Sequence, residues 1–473
     1  MCSQEPPSHD VVFGEITEDG PNYRNLGLIG TVILMMKTQI GLGVLAIPSA
    51  FDTLGMVPGV LCLIGIACII TWSNYMIGIF KLNHPEVYSI DDVGALLFGG
   101  IGRGILSVVF CLCGGPDWIF VVGSGILGIS IGLNAVSTHG TCTAVFTAVA
   151  AIMGFACSSV RTLGKITWFA WIGLPSILTA GTLIPPTFNI TSPSWISIHD
   201  STVIIVCIAV GLQPKPATAS TPWIPDYQII AHPSFTSGIT AVSNLVFAFS
   251  GTPGFFAIVS EMREPRKYTR ALLIAQGSIT AVYIAVGCVV YYFCGSYVAS
   301  PALGSAGQLI KQVCYGIAMP GLVVTTTICS HIPAKFIFIA LLRGTPHLTS
   351  NTATHWITWL SCTLGITIIA FIIANTIPIF DSLVSLIGAL LGTLMCFQPM
   401  GCMWLYDNWR RESTRGDRSW FYWVRVVWAV FVVLLGCFLT VAGTYGCVVG
   451  IMESYGSEGG KGAFSCGDNS GSV

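Results

Sequence analysis

Charge is the scarcest thing in this chain. Asp, Glu, Lys and Arg make up only 9% of its 473 residues while 53% are hydrophobic, against about 25% charged residues in soluble globular proteins. That composition excludes a water-soluble fold. Charged groups nearly cancel, at formal net −1, so no basic or acidic surplus points to nucleic acid or another polyelectrolyte as partner. Metal and nucleophile motifs are also missing: there is no CxxC pair, no HExxH and no nucleophile elbow, and no paired intramembrane aspartates. Neither a metal, a cofactor nor an enzymatic centre is expected. The first 25 residues carry Glu5, Asp10, Glu15 and Glu18 and lack the basic and then apolar layout of a cleaved signal peptide.

What is abundant is apolar sequence. A membrane helix needs about 20 apolar residues, and eleven spans meet that length: Leu28 to Phe51, Gly55 to Phe80, Gly104 to Val136, Gly140 to Val160, Ile166 to Leu183, Thr236 to Ser260, Ala271 to Cys294, Val313 to Leu342, Trp356 to Ile377, Leu383 to Tyr406 and Trp420 to Ile451. Lys and Arg collect in cytosolic loops. With the N-terminus inside, fifteen of the twenty fall in or beside the cytosol, and only Lys215, Lys311 and Lys461 fall outside. Lys37 and Lys335 lie within spans. The chain then divides into a disordered cytosolic tail (1–26), an eleven-helix domain (27–451) and an extracytosolic C-terminal tail (452–473). Most of the eighteen cysteines sit singly in apolar runs, as Cys62, Cys111 and Cys437 do, and read as small buried hydrophobes.

One stretch does not fit. Joining Ala180 directly to Val203 would make a natural fifth span ending near Gln213, so Gly181 to Thr202 reads as an insertion, either an unusual loop or an unspliced intron. If the loop is real and lumenal, Asn189-Ile190-Thr191 is a glycosylation sequon.

Transporters built from inverted repeats bind substrate near the bilayer midplane, where broken helices free their backbone groups. Gly and Pro interrupt two spans, at Gly41-Leu42-Gly43-Val44-Leu45-Ala46-Ile47-Pro48 in the first and Phe249-Ser250-Gly251-Thr252-Pro253-Gly254-Phe255 in the sixth. Each opens a five-helix set. Freed N–H groups suit an α-carboxylate, and carbonyls at the facing half-helix end suit an ammonium. Ser250 and Thr252 add hydroxyls, while Phe247, Phe249, Phe255 and Phe256 either shape an apolar pocket or pack helices. Ionisable groups at membrane depth are functional candidates by default: Lys37 just before the first break, His331 and Lys335 one turn apart in the eighth span, and Asp117 after Gly114-Gly115-Pro116 near the middle of the third. Glu261 and Asp381 lie nearer span ends, where interfacial water explains them as readily.

These blocks resemble the amino acid/auxin permease family, in its filamentous-fungal branch related to the neutral amino acid permease of the methyltryptophan-resistance locus. The stretches that carry the resemblance are MMKTQIGLGVLAIPSAF, FAFSGTPGFFAIVSEMREPRKYTRAL, VYYFCGSYVASPALGSAG, CYGIAMPGLVVTTTICSHIPAKFIFIALLRGTPHL and LVSLIGALLGTLMCFQPMGCMWLYDNW, within residues 27–451. The resemblance implies an all-α polytopic protein of LeuT-type 5+5 inverted-repeat fold with an eleventh transmembrane helix. It implies secondary active amino acid transport, in fungi usually with protons. Gly41, Leu42, Gly43 and Val44, with Phe249, Ser250, Gly251 and Thr252, would then bind substrate. Lys37 would occupy the place that a sodium ion takes between the first and eighth helices of sodium-coupled relatives of this fold. The expected partners are a small amino acid, protons and the bilayer, in the plasma membrane rather than the vacuolar one. A transport-derived sensor is the main alternative, set against a short N-terminal tail; a vacuolar exporter of the same fold is another.

Overall fold

The computed structural model describes residues 9–10, 14–15, 26–40, 42–87, 89–111, 115–160, 226–305, 308–342, 345, 347, 352–377, 379–413, 420–457 and 463–470. The fifth span expected at Ile166 to Leu183, the insertion at Gly181 to Thr202 and the sequon lie outside them. Apart from a two-residue pair, His9–Asp10 with Gly14–Glu15, every described element is helical.

The first span is three pieces: α1 (Leu28–Gln39), a 3₁₀ turn (Leu42–Ala46) and α2 (Ile47–Leu54). Pro48 explains the restart of the helix, since its missing N–H costs nothing in a first turn. Then come α3 (Met56–Asn83), α4 (Ile90–Cys111), α5 (Gly115–Ser137) and α6 (Thr143–Ser158). The sixth span repeats the broken pattern as α7 (Phe235–Ala248), a 3₁₀ turn (Thr252–Gly254) and α8 (Phe255–Glu261). It is followed by α9 (Tyr268–Cys294), α10 (Gln308–Leu342) and α11 (Ala353–Thr376). The tenth span runs α12 (Phe380–Ile387), a π-helical segment (Gly388–Gly392), α13 (Thr393–Cys396) and α14 (Gln398–Ser413), and α15 (Trp420–Ser457) closes the chain.

Of the third span, expected at Gly104 to Val136, the structure describes the helical stretch of α4 to Cys111 and α5 from Gly115, and residues 112–114 lie outside the described residues. Asp117 lies in α5, three positions after those residues. The tenth span carries a π segment that no proline announces. Two cysteines outside the apolar runs behave differently from the rest: Cys142 and Cys466, 324 positions apart, form a disulfide.

Packing divides the helices into two groups. In one, α9 lies against α1, α2 and α3, and α7 against α2; in the other, α5, α6, α10 and α11 pack on one another. The tenth span and α15 lie along α7, with α14 reaching α3. Small residues allow the close approaches, as lipid offers no hydrophobic drive between helices. A Cβ on Gly388 would stand 2.0 Å from the Ser243 carbonyl, and one on Gly401 2.7 Å from that of Ala429.

The end of the chain is strapped across the second group. Beside the disulfide, Phe464 N–H donates to the Asn375 carbonyl (3.0 Å) and the Thr143 hydroxyl to that of Gly467 (2.6 Å). Asn134 Nδ2 donates to Asn469 Oδ1 (2.7 Å), and Lys311 Nζ to the Ser470 carbonyl (3.1 Å). The strap thus joins ends of α5, α6, α10 and α11. Disulfides persist in oxidising compartments, so Cys142→Ser is expected to expose the Cys466 thiol to a membrane-impermeant maleimide on intact cells. Labelling of Cys466 only after permeabilisation would put this tail in the cytosol.

Candidate functional site

The two interrupted spans cross at their breaks. A Cβ on Gly43 would lie 2.7 Å from Ala248 Cα, and one on Gly251 2.7 Å from the Thr38 carbonyl and 2.8 Å from Gln39 Cγ. Glycine is needed at both places for backbone to meet backbone. Gly41 lies outside the described residues, and of Leu42 and Lys37 only the helical placement is described.

A residue that sequence reasoning passed over ties the breaks together. The buried Tyr283 hydroxyl, from α9, points at two acceptors at once: the carbonyl of Gln39 (2.8 Å), which ends α1, and that of Ala248 (2.7 Å), which ends α7. Helix C-termini leave carbonyls without intrahelical partners, and burying them unsatisfied is costly. The single proton of one phenol is shared between two such carbonyls. Gln39 Nε2 adds a bond to the Phe249 carbonyl (3.3 Å), and the Phe249 ring stands edge-on to Tyr283 with centroids 5.0 Å apart. Two buried polar atoms at this crossing have no hydrogen-bond partner among the described residues, Gln39 Oε1 and Thr252 Oγ1. Ser250 turns its hydroxyl onto the Phe247 carbonyl (2.8 Å), and Val44, Phe247, Phe255 and Phe256 are buried in the core.

Hydrogen bonds tie the helices on both sides of the crossing. Toward the α2 side, Asp381 Oδ1 accepts from Ser49 Oγ (2.8 Å), Asn244 Nδ2 (2.9 Å) and Ser300 Oγ (3.0 Å). One carboxylate oxygen so gathers α2, α7 and the segment between α9 and α10 onto the start of α12. Interfacial solvation does not account for a side chain with three protein donors. Toward the α1 side, Leu26 N–H donates to the Glu261 carbonyl (3.1 Å) and Arg263 N–H to that of Leu26 (3.0 Å), holding the foot of α1 against the end of α8.

The ionisable candidates of α10 lie apart from the crossing. His331 is fully buried with its ring against Trp359 of α11, centroids 5.0 Å apart, and so faces the second group. Lys335 is half-buried and close enough to Glu261 for their charges to attract. Thr325, Thr326 and Thr327 bond back to carbonyls of their own helix at 3.0, 2.8 and 2.7 Å. The Asp117 side chain is outside the described set. Among the described residues no group of acidic, His and Cys side chains could hold a metal ion.

The model of the transmembrane amino acid transporter protein family matches residues 24–448. The chain belongs to that family. Similar proteins include a transmembrane transporter of Gibberella moniliformis, 33% identical over 96% of this chain and 90% of the relative. The N amino acid transport system protein of Neurospora crassa is 30% identical over 93% and 88% of the two chains. Among solved structures, that of Mhp1, a nucleobase-cation-symport-1 family transporter in a closed conformation with bromovinylhydantoin bound, matches with a TM-score of 0.51 at 11% identity, covering 93% of this chain and 94% of that one. That likeness concerns fold alone, and the fold is LeuT-type. The transporter's two broken spans are accordingly the first members of its two repeats, with α15 appended as the eleventh helix.

Proposed function

We propose that this transporter moves neutral aliphatic or aromatic amino acids together with protons, by alternating access, across the plasma membrane. The crossing of the two breaks carries the reading. Its described residues, 42–46 and 249–254, contain no ionisable side chain, so a substrate there meets dipoles and no fixed charge, which suits a zwitterion without side-chain charge. Gln39 Oε1 can accept from an α-ammonium and Thr252 Oγ1 can donate to an α-carboxylate. Gly43 and Gly251 let the two backbones, with Val44 and Ser250 beside them, close around so small a ligand.

Alternating access fits the ties at both ends. The Asp381 cluster would release α2 and α7 on one side, and the Leu26 pairing would release α1 on the other, each in turn. The Neurospora relative, named as an amino acid transport system protein, supports the class of cargo, and the lopsided placement of Lys and Arg supports the orientation. Purified protein in proteoliposomes tests the proposal through uptake of labelled amino acid and its competition profile. Unlabelled neutral amino acids are expected to compete at least about tenfold better than Lys, Arg or Glu, a gap of roughly 1.4 kcal/mol. Stronger competition by cationic amino acids would overturn the substrate reading and turn attention to Asp117. Binding without uptake would establish a sensor, and a vacuolar location in cells an exporter.

A further inference from the structure

Between α3, α14 and α15, away from the crossing, lies a cavity of 480 Å³, within the roughly 300–1,000 Å³ typical of ligand sites. Its wall is aromatic and apolar, with Trp72, Tyr75 and Met76 from α3, Trp404 from α14 and Trp428 from α15. Trp72 and Trp428 meet edge to face with centroids 6.1 Å apart. Tyr75 and Trp428 keep 38% and 36% of their surface exposed, so the wall is open to the surroundings of the helices. All three helices reach the cavity near the ends that the Lys and Arg pattern places at the cytosolic face, so the opening lies in the inner leaflet.

The remaining lining is polar and charged. Asn83 of α3, Asp407 and Asn408 of α14 and Arg425 of α15 border the same space. Asp407 is mostly buried, its side chain 14% exposed, and is already oriented: Oδ1 lies 2.7 Å from His84 Nε2 and Oδ2 accepts from Asn83 Nδ2 at 2.9 Å. Glu86 stands behind it, 3.5 Å from His84 Nδ1. A carboxylate has about four acceptor positions, which leaves two on Asp407 unspent. Arg425 is exposed and forms no ion pair or hydrogen bond among the described residues. A fixed cation and a fixed anion therefore border one apolar chamber at headgroup depth.

We propose that this cavity seats an ethanolamine phospholipid of the inner leaflet, with its phosphate on Arg425, its primary ammonium on Asp407 and an acyl chain along the Trp72 and Trp428 wall. Charge complementarity selects the occupant. A guanidinium matches phosphate in a bidentate fork, and only a headgroup that also carries an N–H cation answers the carboxylate beside it. A sterol offers one hydroxyl and leaves Arg425 unanswered. Polyanionic inositol lipids call for clusters of basic groups, whereas Arg425 is the one basic residue among those lining the cavity and Asp407 opposes a second anionic group there. Choline lacks the N–H that Asp407 would accept. The site rests on the membrane-spanning fold and is independent of which solute is carried, so its failure would leave the transport reading untouched.

Native mass spectrometry of the full chain in mild detergent, supplied with equal amounts of phosphatidylethanolamine and phosphatidylcholine, tests this. The wild type is expected to retain one phosphatidylethanolamine at least fivefold over phosphatidylcholine. Arg425→Gln, at an exposed position, is expected to lower that retention at least fivefold. Asp407→Asn is expected to keep some lipid but lose the preference for ethanolamine. Added phosphatidylethanolamine should raise the Tm of the wild type and not that of Arg425→Gln. Equal retention of both lipids by the wild type would reduce the cavity to an annular groove and overturn the proposal. So would undiminished retention of phosphatidylethanolamine by Arg425→Gln.

Discussion

Tyr283→Phe is expected to lower amino acid uptake by about ten- to a hundredfold while protein still reaches the membrane. The substitution removes one oxygen and no packing volume. It strips the donor from the carbonyls of Gln39 and Ala248, both buried at helix ends. Leaving a buried acceptor unsatisfied costs about 1–3 kcal/mol, and the loss falls where the two broken spans must hold a defined geometry. The ring itself keeps its edge-on contact with Phe249, so a general collapse of the core is not expected. Uptake in proteoliposomes, normalised to folded protein by size-exclusion chromatography, gives the answer. Wild-type uptake by Tyr283→Phe would show that the carbonyls find other donors, and that Tyr283 does not hold the crossing.

The broken spans were legible in the sequence because their cause is chemical and local. Gly43 with Pro48, and Gly251 with Pro253, interrupt otherwise apolar runs, and helices fail there for lack of propensity and of an N–H. The π segment at Gly388–Gly392 has no such mark. Its two glycines, four apart, read equally well as a packing motif, and only the folded backbone, widened where it lies against α7, shows the difference. Asp381 was legible as an acid near a span end, but its three donors come from positions 49, 244 and 300. The strap was hidden for the same reason: Cys142 and Cys466 are joined across nearly the whole chain, and the tail looked polar and unattached. Tyr283 is one tyrosine in an apolar helix. Its role is decided by two carbonyls in other spans, which no local pattern encodes.

The proposed coupling to protons is expected to turn on Lys37. That residue occupies the last turn of α1, two positions before the helix ends at Gln39. A lysine at membrane depth is costly as an ammonium, so binding and release of its proton alters the energy of whatever α1 packs against. At that position the charge would act on the half-helix that swings in the proposed cycle. Lys37→Met keeps a similar length and removes the charge. The variant is expected to bind and exchange amino acid across the membrane at rates within about threefold of wild type, since Gly43, Gly251 and Tyr283 are intact. It is expected to lose accumulation against a gradient when the outside is acidified, because no step of its cycle then carries a proton. Lys335→Met separates the two candidates. Lys335 lies close enough to Glu261, near the end of α8, for their charges to attract, and Lys335→Met should retain proton-driven accumulation if Lys37 is the carrier and lose it if the carrier is Lys335. Full accumulation by Lys37→Met under an inward proton gradient would remove Lys37 from the coupling mechanism and leave it a residue that merely reaches for the membrane surface.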